Sequence, residues 1–273
     1  MNGAEEKSLI RLVFLGTGTS QGVPIIGCHC GVCRSANPRD HRLRSSVALE
    51  GKGTRVVVDT GTDFRTQMLR EQFESLDAVV YTHEHKDHVA GMDDIRAFNF
   101  MQKTDMPVYA TQAVQEALRR EFHYVFAASK YPGVPSVELH DIDETPFEVE
   151  GVTWVPLPVM HRKMPVLGFR VGGIAYITDA NHLSEMAWER LKGVDVLILN
   201  ALRRAAHVSH FTLDEALDVA ARVGARETYF THISHQLGQH AAVMEELPDG
   251  VSLAWDGLRV VSEGPAWKGL KND

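Results

Sequence analysis

Thr82-His83-Glu84-His85-Lys86-Asp87-His88 is the stretch on which the fold turns. It follows the apolar, β-branched run Ala78–Tyr81 and leads into Val89-Ala90-Gly91, so three imidazoles and a carboxylate leave a strand end together. In an extended or turning segment, side chains at i and i+2 face the same way, which lets His83 and His85 share one ion. As the chain coils into the next helix, the adjacent Asp87 and His88 point apart and can serve a second. Imidazole with carboxylate suits zinc, iron or manganese, and the spacing differs from the helical His-Glu-x-x-His protease motif. A histidine-rich surface loop is the bland alternative; four potential ligands within six residues at a strand end argue against it.

Three further segments have the same form, an apolar strand delivering a ligand at its end: Val159-Met160-His161, Tyr176-Ile177-Thr178-Asp179 and Tyr229-Phe230-Thr231-His232. Each is weak alone, since Asp179 could cap a helix and His161 could be a surface residue. Together they complete two coordination spheres.

Strand-like runs recur at 9–15, 46–49, 55–58, 78–81, 152–155, 167–171, 174–177, 194–199, 228–230, 251–254 and 258–261. Helical spacing appears at 64–73, 92–100, 113–126, 183–191 and 213–223, the last opened by Thr212 as N-cap with Glu215 three residues on. The mixture predicts an α/β (α+β) fold of four layers, two sheets face to face and covered by helices. No linker or low-complexity tract divides residues 1–273, which are expected to form a single domain with a loop at Tyr131–Ser136. The halves look broadly alike, but no convincing repeat is visible.

The chain has 273 residues, 44% hydrophobic and 23% charged, an ordinary globular composition. Its formal net charge of −8 argues against a wide footprint on nucleic acid, so no extended nucleic-acid partner is expected, whereas a small anionic substrate remains compatible once cations fill the cleft. All three cysteines fall in Cys28-His29-Cys30-Gly31-Val32-Cys33, odd in number and too close for a disulfide framework, which points to metal or redox chemistry in a reducing compartment. The acidic start Met1-Asn2-Gly3-Ala4-Glu5-Glu6 is unlike a secretory signal, and no apolar run approaches the roughly 18 residues of a membrane span. A cytoplasmic protein without a membrane partner is expected.

The order His-x-His-x-Asp-His, then His161, Asp179 and His232, with Val58-Asp59-Thr60-Gly61 upstream, resembles the metallo-β-lactamase superfamily along nearly the whole chain. The resemblance implies a four-layer αββα fold with two mixed sheets sandwiched between helices. It implies one metal on His83, His85 and His161, another on Asp87, His88 and His232, and Asp179 bridging. Asp59 matches the buried aspartate that supports the metal-binding loop, and a homodimer is the superfamily's usual assembly. Within the cysteine cluster, three thiolates are one short of a tetrahedral zinc set, so a histidine must supply the fourth ligand; His235 is the choice, with His29 and His41 as local competitors.

Gly16-Thr17-Gly18-Thr19-Ser20-Gln21-Gly22-Val23-Pro24, the cysteine cluster, Thr231–Gln236 and Leu247-Pro248-Asp249-Gly250 narrow the resemblance to the phosphoribosyl 1,2-cyclic phosphate phosphodiesterase (PhnP) family. That family carries a three-cysteine-plus-histidine zinc beside its dinuclear site. The glycine-rich opening lacks the P-loop lysine and dinucleotide spacing, and is assigned to turn geometry. His210, in Val208-Ser209-His210-Phe211-Thr212, matches a histidine that contacts the scissile phosphate or protonates the leaving oxygen; His207 is its near neighbour, and Arg203 and Arg204 are further phosphate candidates.

The resemblance therefore implies hydrolysis of a small, cyclic or open phosphodiester by a hydroxide bound between two divalent ions, zinc or manganese, with Asp87 in the catalytic metal set and His210 as general acid. A tRNA 3′-processing endonuclease, a thioester hydrolase and a non-catalytic carrier of the pyrroloquinoline-quinone-biosynthesis type are the alternatives. Met92–Arg96 and Thr111–Tyr131 depart from the family, which places substrate selection there.

Overall fold

The computed structural model describes residues 9–263; the acidic start of the chain lies outside them. Seven strands form the first sheet: β1 (Ile10–Gly16), β2 (Ser46–Gly51), β3 (Thr54–Val58), β4 (Ala78–Val80), β5 (Met106–Ala110), β6 (Val137–Asp141) and the last, β15 (Arg259–Ser262). They are ordered β15-β1-β2-β3-β4-β5-β6. The second sheet takes β7 (Phe147–Val149), β8 (Val152–His161), β9 (Met164–Val171), β10 (Ile174–Ile177), β11 (His182–Leu183), β12 (Val196–Asn200), β13 (Glu227–Thr231) and β14 (Val251–Leu253). Its order is β11-β8-β9-β10-β12-β13-β14, with β7 also paired to β8.

Strand periodicity explains the layering. In β1, Ile10, Leu12 and Phe14 turn to one side and Val13 and Leu15 to the other, and all five are buried. The first set meets Trp154, Phe169, Tyr176 and Ile198 of the second sheet in the middle of the sandwich. The second set meets the outer helices α1 (Phe64–Glu71), α3 (Arg96–Gln102) and α4 (Gln112–Glu121) through Phe64, Phe98 and Leu118. A third cluster joins the far face of the second sheet to α5 (Glu185–Leu191) and α6 (Leu213–Val223) through Leu191, Leu213 and Ala216. Three apolar interfaces between four layers are the αββα architecture.

Sequence periodicity located most of these elements, and α6 runs over Leu213–Val223 as expected, with Thr212 and Glu215 forming a reciprocal capping box. It missed β5, whose Pro107 is an unusual strand residue, and β6, a polar edge strand of sequence VELHD. It also ended β8 at Val155, because Pro156 and Pro158 follow. The strand continues to His161, pairing Pro156 with Phe169 and Pro158 with Leu167, and so carries His161 to the sandwich edge on one rigid element. The region 92–100 is a short 3-10 turn at Met92–Ile95 followed by α3 rather than one helix. Among the described residues, no helix is long and apolar enough to cross a membrane.

Candidate metal centre

The side chains singled out in the sequence converge where strands of both sheets end. β4 delivers His83 and His85; the next short helix α2 (Lys86–Val89) carries Asp87 and His88; β8, β10 and β13 bring His161, Asp179 and His232. Ligand atoms of Asp87, His88, Asp179 and His232 lie within 4.8 Å of one another, as do those of His83, His85 and Asp179, and those of His161, Asp179 and His210. Asp179 is common to all three groups. Its Oδ1 faces His232 Nε2 at 3.1 Å and His88 Nε2 at 3.4 Å, while its Oδ2 faces His83 Nε2 at 3.8 Å. One carboxylate thus offers an oxygen to each side of the cluster.

Asp59, His232 and Asp179 hold left-handed backbone, with φ of 66°, 54° and 53°. Each follows a strand, and the turn swings the side chain out of the pleat and into the cleft. For non-glycine residues this costs on the order of 1–3 kcal/mol each, a strain that concentrates at functional sites. Nothing in the local sequence announced it. Close backbone contact locks the turn after β3 against the metal loop: Thr60 N–H donates to His88 O at 2.8 Å and Gly91 N–H to Thr60 O at 2.8 Å. A Cβ on Gly61 would come 2.0 Å from Asp87 O, and one on Gly91 2.1 Å from Gly61 O, so only glycine fits either position.

Hydrogen bonds behind the imidazoles decide which nitrogen is presented. Asp59, fully buried, accepts from His88 Nδ1 at 2.7 Å, and a carboxylate can only accept, so Nδ1 carries a proton and Nε2 is the nitrogen turned to the cluster. Asp59 also accepts from the Thr82 backbone N–H at 2.9 Å and from the Thr82 hydroxyl at 2.8 Å. With its proton committed there, the Thr82 oxygen accepts from His83 Nδ1 at 2.9 Å, and His83 Nε2 is turned to the cluster too. Ser209 O receives His161 Nδ1–H at 2.8 Å with the same result. Three imidazoles are therefore held with Nδ1 engaged and Nε2 aimed at the cluster, an arrangement that fixes ring orientation and leaves Nε2 as the atom each could offer to a cation.

The buried Nε2 atoms of His83, His88 and His232 make no hydrogen bond, although carboxylate oxygens lie close by. Orphaned lone pairs of this kind beside Asp87 and Asp179 fit divalent cations. Charge agrees with geometry. Burial disfavours the His88 imidazolium, yet Asp179, Asp59 and Asp87 together hold its pKa well above the ordinary value. Burial likewise opposes ionised Asp179, yet His232 and His88 keep its pKa well below the usual range. The cluster is negative enough to draw positive charge into a buried place, the role a metal takes over by displacing the proton.

His210, buried, reaches the cluster's edge with Nε2 3.2 Å from Asp179 Oδ2, and Ser209 Oγ and His207 Nδ1 lie 3.1 Å from its Nδ1. His207 thus stands behind His210 rather than in its place. Burial outweighs the Asp179 hydrogen bond and pushes the His210 pKa down to about 4. Arg203 and Arg204 do not enter the cleft: Arg203 donates to the Ala205 and Ala206 carbonyls and Gln236, and Arg204 to Leu237 O and Glu246. They fasten the loop that carries His207 and His210.

The cysteines form a second cluster. His235 Nδ1 stands 3.3 Å from Cys28 Sγ, 3.3 Å from Cys30 Sγ and 3.5 Å from Cys33 Sγ. Ligands about 2.0–2.3 Å from a tetrahedral zinc lie roughly 3.5 Å apart, so these four atoms suit such an ion. His41 instead pairs with Ser35 O at 2.9 Å. The Cys33 N–H and His235 lower the Cys30 thiol to about 6, so it readily becomes a thiolate, while burial raises Cys33 to about 11. Sequence reasoning overlooked Arg42, whose backbone pairs with Val23 at the base of the segment carrying the cysteines and whose buried side chain donates to Thr17 Oγ1 at 2.8 Å and Ala254 O at 2.6 Å, with His240 Nδ1 at 3.2 Å.

Comparison with known proteins agrees with this geometry. Residues 54–233 match the beta-lactamase superfamily domain. The chain belongs to the metallo-β-lactamase superfamily. Within the superfamily it stands close to the PhnP family: a solved diphosphatase of that family is 41% identical, with a TM-score of 0.88, over 93% of this chain and 97% of the other. An octanoyltransferase of Porphyromonas gingivalis is 40% identical over 92% of this chain but only 51% of its own length. The chain thus spans about half of that relative, and the relative's name describes a protein of which nearly half lies outside the match. Zn(2+)-bound PqqB of Methylobacterium extorquens, at 20% identity and a TM-score of 0.72 over 92% of this chain and 99% of the other, shares the fold.

Proposed function

We propose that the chain hydrolyses a small phosphodiester, with two divalent ions, zinc or manganese, at the strand-end cluster and one zinc at the cysteine cluster. His83, His85 and His161 would hold one ion, Asp87, His88 and His232 the second, and Asp179 would bridge them. Bound there, the ions supply Lewis-acid activation of water and neutralise charge on the phosphate. Asp59 holds His88 directly and His83 through Thr82, so both rings are oriented with Nε2 towards the cluster before any ion arrives.

The observation that carries the reading is His210, set against Asp179 at the cluster's edge and beside His161, where this reading gives it the phosphate rather than an ion. Burial keeps its imidazole neutral in the free protein. A phosphate docked beside it favours the charged form, as any near anion does for an imidazole, and gives His210 a proton to pass to the leaving oxygen. An acyl-thioester hydrolase has no phosphate to recharge the histidine. The similar protein of the PhnP family is a diphosphatase, which is in keeping with a phosphate-bearing substrate here.

The test is metal analysis and turnover of bis-p-nitrophenyl phosphate and a ribose cyclic phosphate by wild type and His210→Ala. Full metal content with a kcat lowered by about 100- to 10,000-fold is expected of the variant. Joint loss of metal and turnover would refute the separation between ligands and His210. Inert diesters with rapid thioester cleavage by the wild type would overturn the substrate class.

A further inference from the structure

The two cation sets share Asp179 but are unequally built. His88 Nε2 stands 3.2 Å from Asp87 Oδ2 and 3.4 Å from Asp179 Oδ1, and His232 Nε2 stands 3.1 Å from Asp179 Oδ1 and 3.7 Å from Asp87 Oδ2. Donors about 2.0–2.2 Å from one ion lie roughly 3–3.5 Å from each other, so these four residues already have the spacing of a single coordination sphere. His88, Asp179 and His232 are buried and Asp87 is half-buried, and neither histidine's Nε2 makes a hydrogen bond. The other set is divided. His83 and His85 gather with Asp179, whose Oδ2 is 3.8 Å from His83 Nε2, while His161 gathers with Asp179 and His210. His85 is exposed, so water competes for whatever it binds.

We propose that the two ions enter in a fixed order. The set of Asp87, His88, Asp179 and His232 takes the first ion and keeps it; the set of His83, His85 and His161 takes the second only at a higher concentration of free cation, so hydrolysis responds to the supply of divalent cation. The inference rests on the two-ion phosphodiesterase reading and adds the regulation of that same site. Charge points the same way as spacing. The first set holds two carboxylates, whereas the second has only the one it shares. An ion resting on Asp87 and Asp179 draws on that shared charge, and it repels a second cation roughly 3.5–4 Å away. Support behind the ligands adds to the difference: Asp59 holds His88 directly but reaches His83 only through Thr82. Manganese, which accepts both imidazole and carboxylate, should show the order clearly because the first set is the richer in oxygen.

The test is titration of Mn2+ into protein that keeps zinc at the cysteine cluster and has been cleared of strand-end cations by a chelator, followed by calorimetry and electron paramagnetic resonance. The wild type is expected to bind two ions with Kd values about tenfold or more apart. The first should give the six-line signal of an isolated ion, and the second should convert it to that of a spin-coupled pair. His85→Ala should keep the tight step within about twofold and lose the weak one, whereas Asp87→Asn should weaken the tight step by about tenfold or more. The unfolding midpoint in chelator checks that both variants fold. A coupled signal from the first addition, two equal affinities, or loss of the tight step in folded His85→Ala would overturn the order. Turnover of bis-p-nitrophenyl phosphate is expected to rise with the second ion, and full turnover with one ion per chain would overturn the regulation. An inert diester with ordered binding intact would refute the phosphodiesterase reading and leave the order standing.

Discussion

In the first sheet, β1, β2 and β3 run antiparallel and β3, β4, β5 and β6 parallel; in the second, β8, β9 and β10 run antiparallel and β10, β12, β13 and β14 parallel. The third strand of each meander ends in a left-handed aspartate, Asp59 after β3 and Asp179 after β10. The next strand in each sheet then clamps that turn with a polar residue at its end. Thr82 after β4 binds the carboxylate of Asp59. Asn200 at the end of β12 binds the backbone of Ala180 instead, with its amide donating to the Ala180 carbonyl at 3.0 Å and accepting the Ala180 N–H at 2.9 Å. The difference decides the two roles. The side-chain clamp engages Asp59 away from the cleft, whereas Asp179, held through the Ala180 backbone and by the Thr178 hydroxyl donating to its Oδ1 at 2.7 Å, keeps both oxygens facing imidazoles.

Asp179→Asn should break the comparison most severely. Replacing the oxygen shared by both sides of the cluster is expected to remove metal from the strand-end site and lower diesterase kcat by at least ~1000-fold, while the cysteine cluster keeps its zinc; metal analysis alongside turnover reads both. Asp59→Asn is the matched change in the other half. Since Asp59 acts through His88 and Thr82, metal affinity should fall by about 10- to 100-fold, as supporting residues behind ligands usually cost, and added metal should recover much of the activity. Equal, irreversible losses in both variants would mean that Asp59 also touches the ions.

The remaining tests concern the ties between the halves. Cys30→Ser should release the cysteine-bound zinc and loosen the loop Cys28–Cys33 from His235, lowering the unfolding midpoint by about 5 °C with metal retained at the strand ends. A smaller effect is expected where Arg42 of the first half meets His240 and Ala254 of the second. Burial, then Arg42 and Arg39, push the His240 pKa from 6.5 down to about 4. The unfolded chain therefore takes up this proton first, so stability present above pH 6.5 is lost as pH falls towards 4. His240→Gln should flatten that part of a urea-denaturation pH profile by about 1–2 kcal/mol; an unchanged slope would show that His240 does not contribute to it.

The candidate ligands that the structure brings together could be picked out in the chain because each follows an apolar strand run, and a strand fixes both direction and alternation over its own length. The Thr212 cap was legible for the same local reason. β6 escaped notice because an edge strand need bury little, and the full length of β8 because its prolines disguise a strand whose partners tolerate the missing N–H groups. His235 and the competing His29 and His41 could not be separated by spacing alone; the distances to three sulfurs set His235 apart.

By itself the sequence determined the fold class and which side chains could bind cations, since hydrophobic periodicity and residue chemistry are local properties. Tertiary structure alone decided which atoms hold Asp59 and Asp179, which nitrogen each imidazole turns to the cluster, and that a cavity lies beside His83. Those outcomes depend on which atoms meet across two sheets, and hydrogen-bond partners brought together from distant positions leave no period or spacing in the chain.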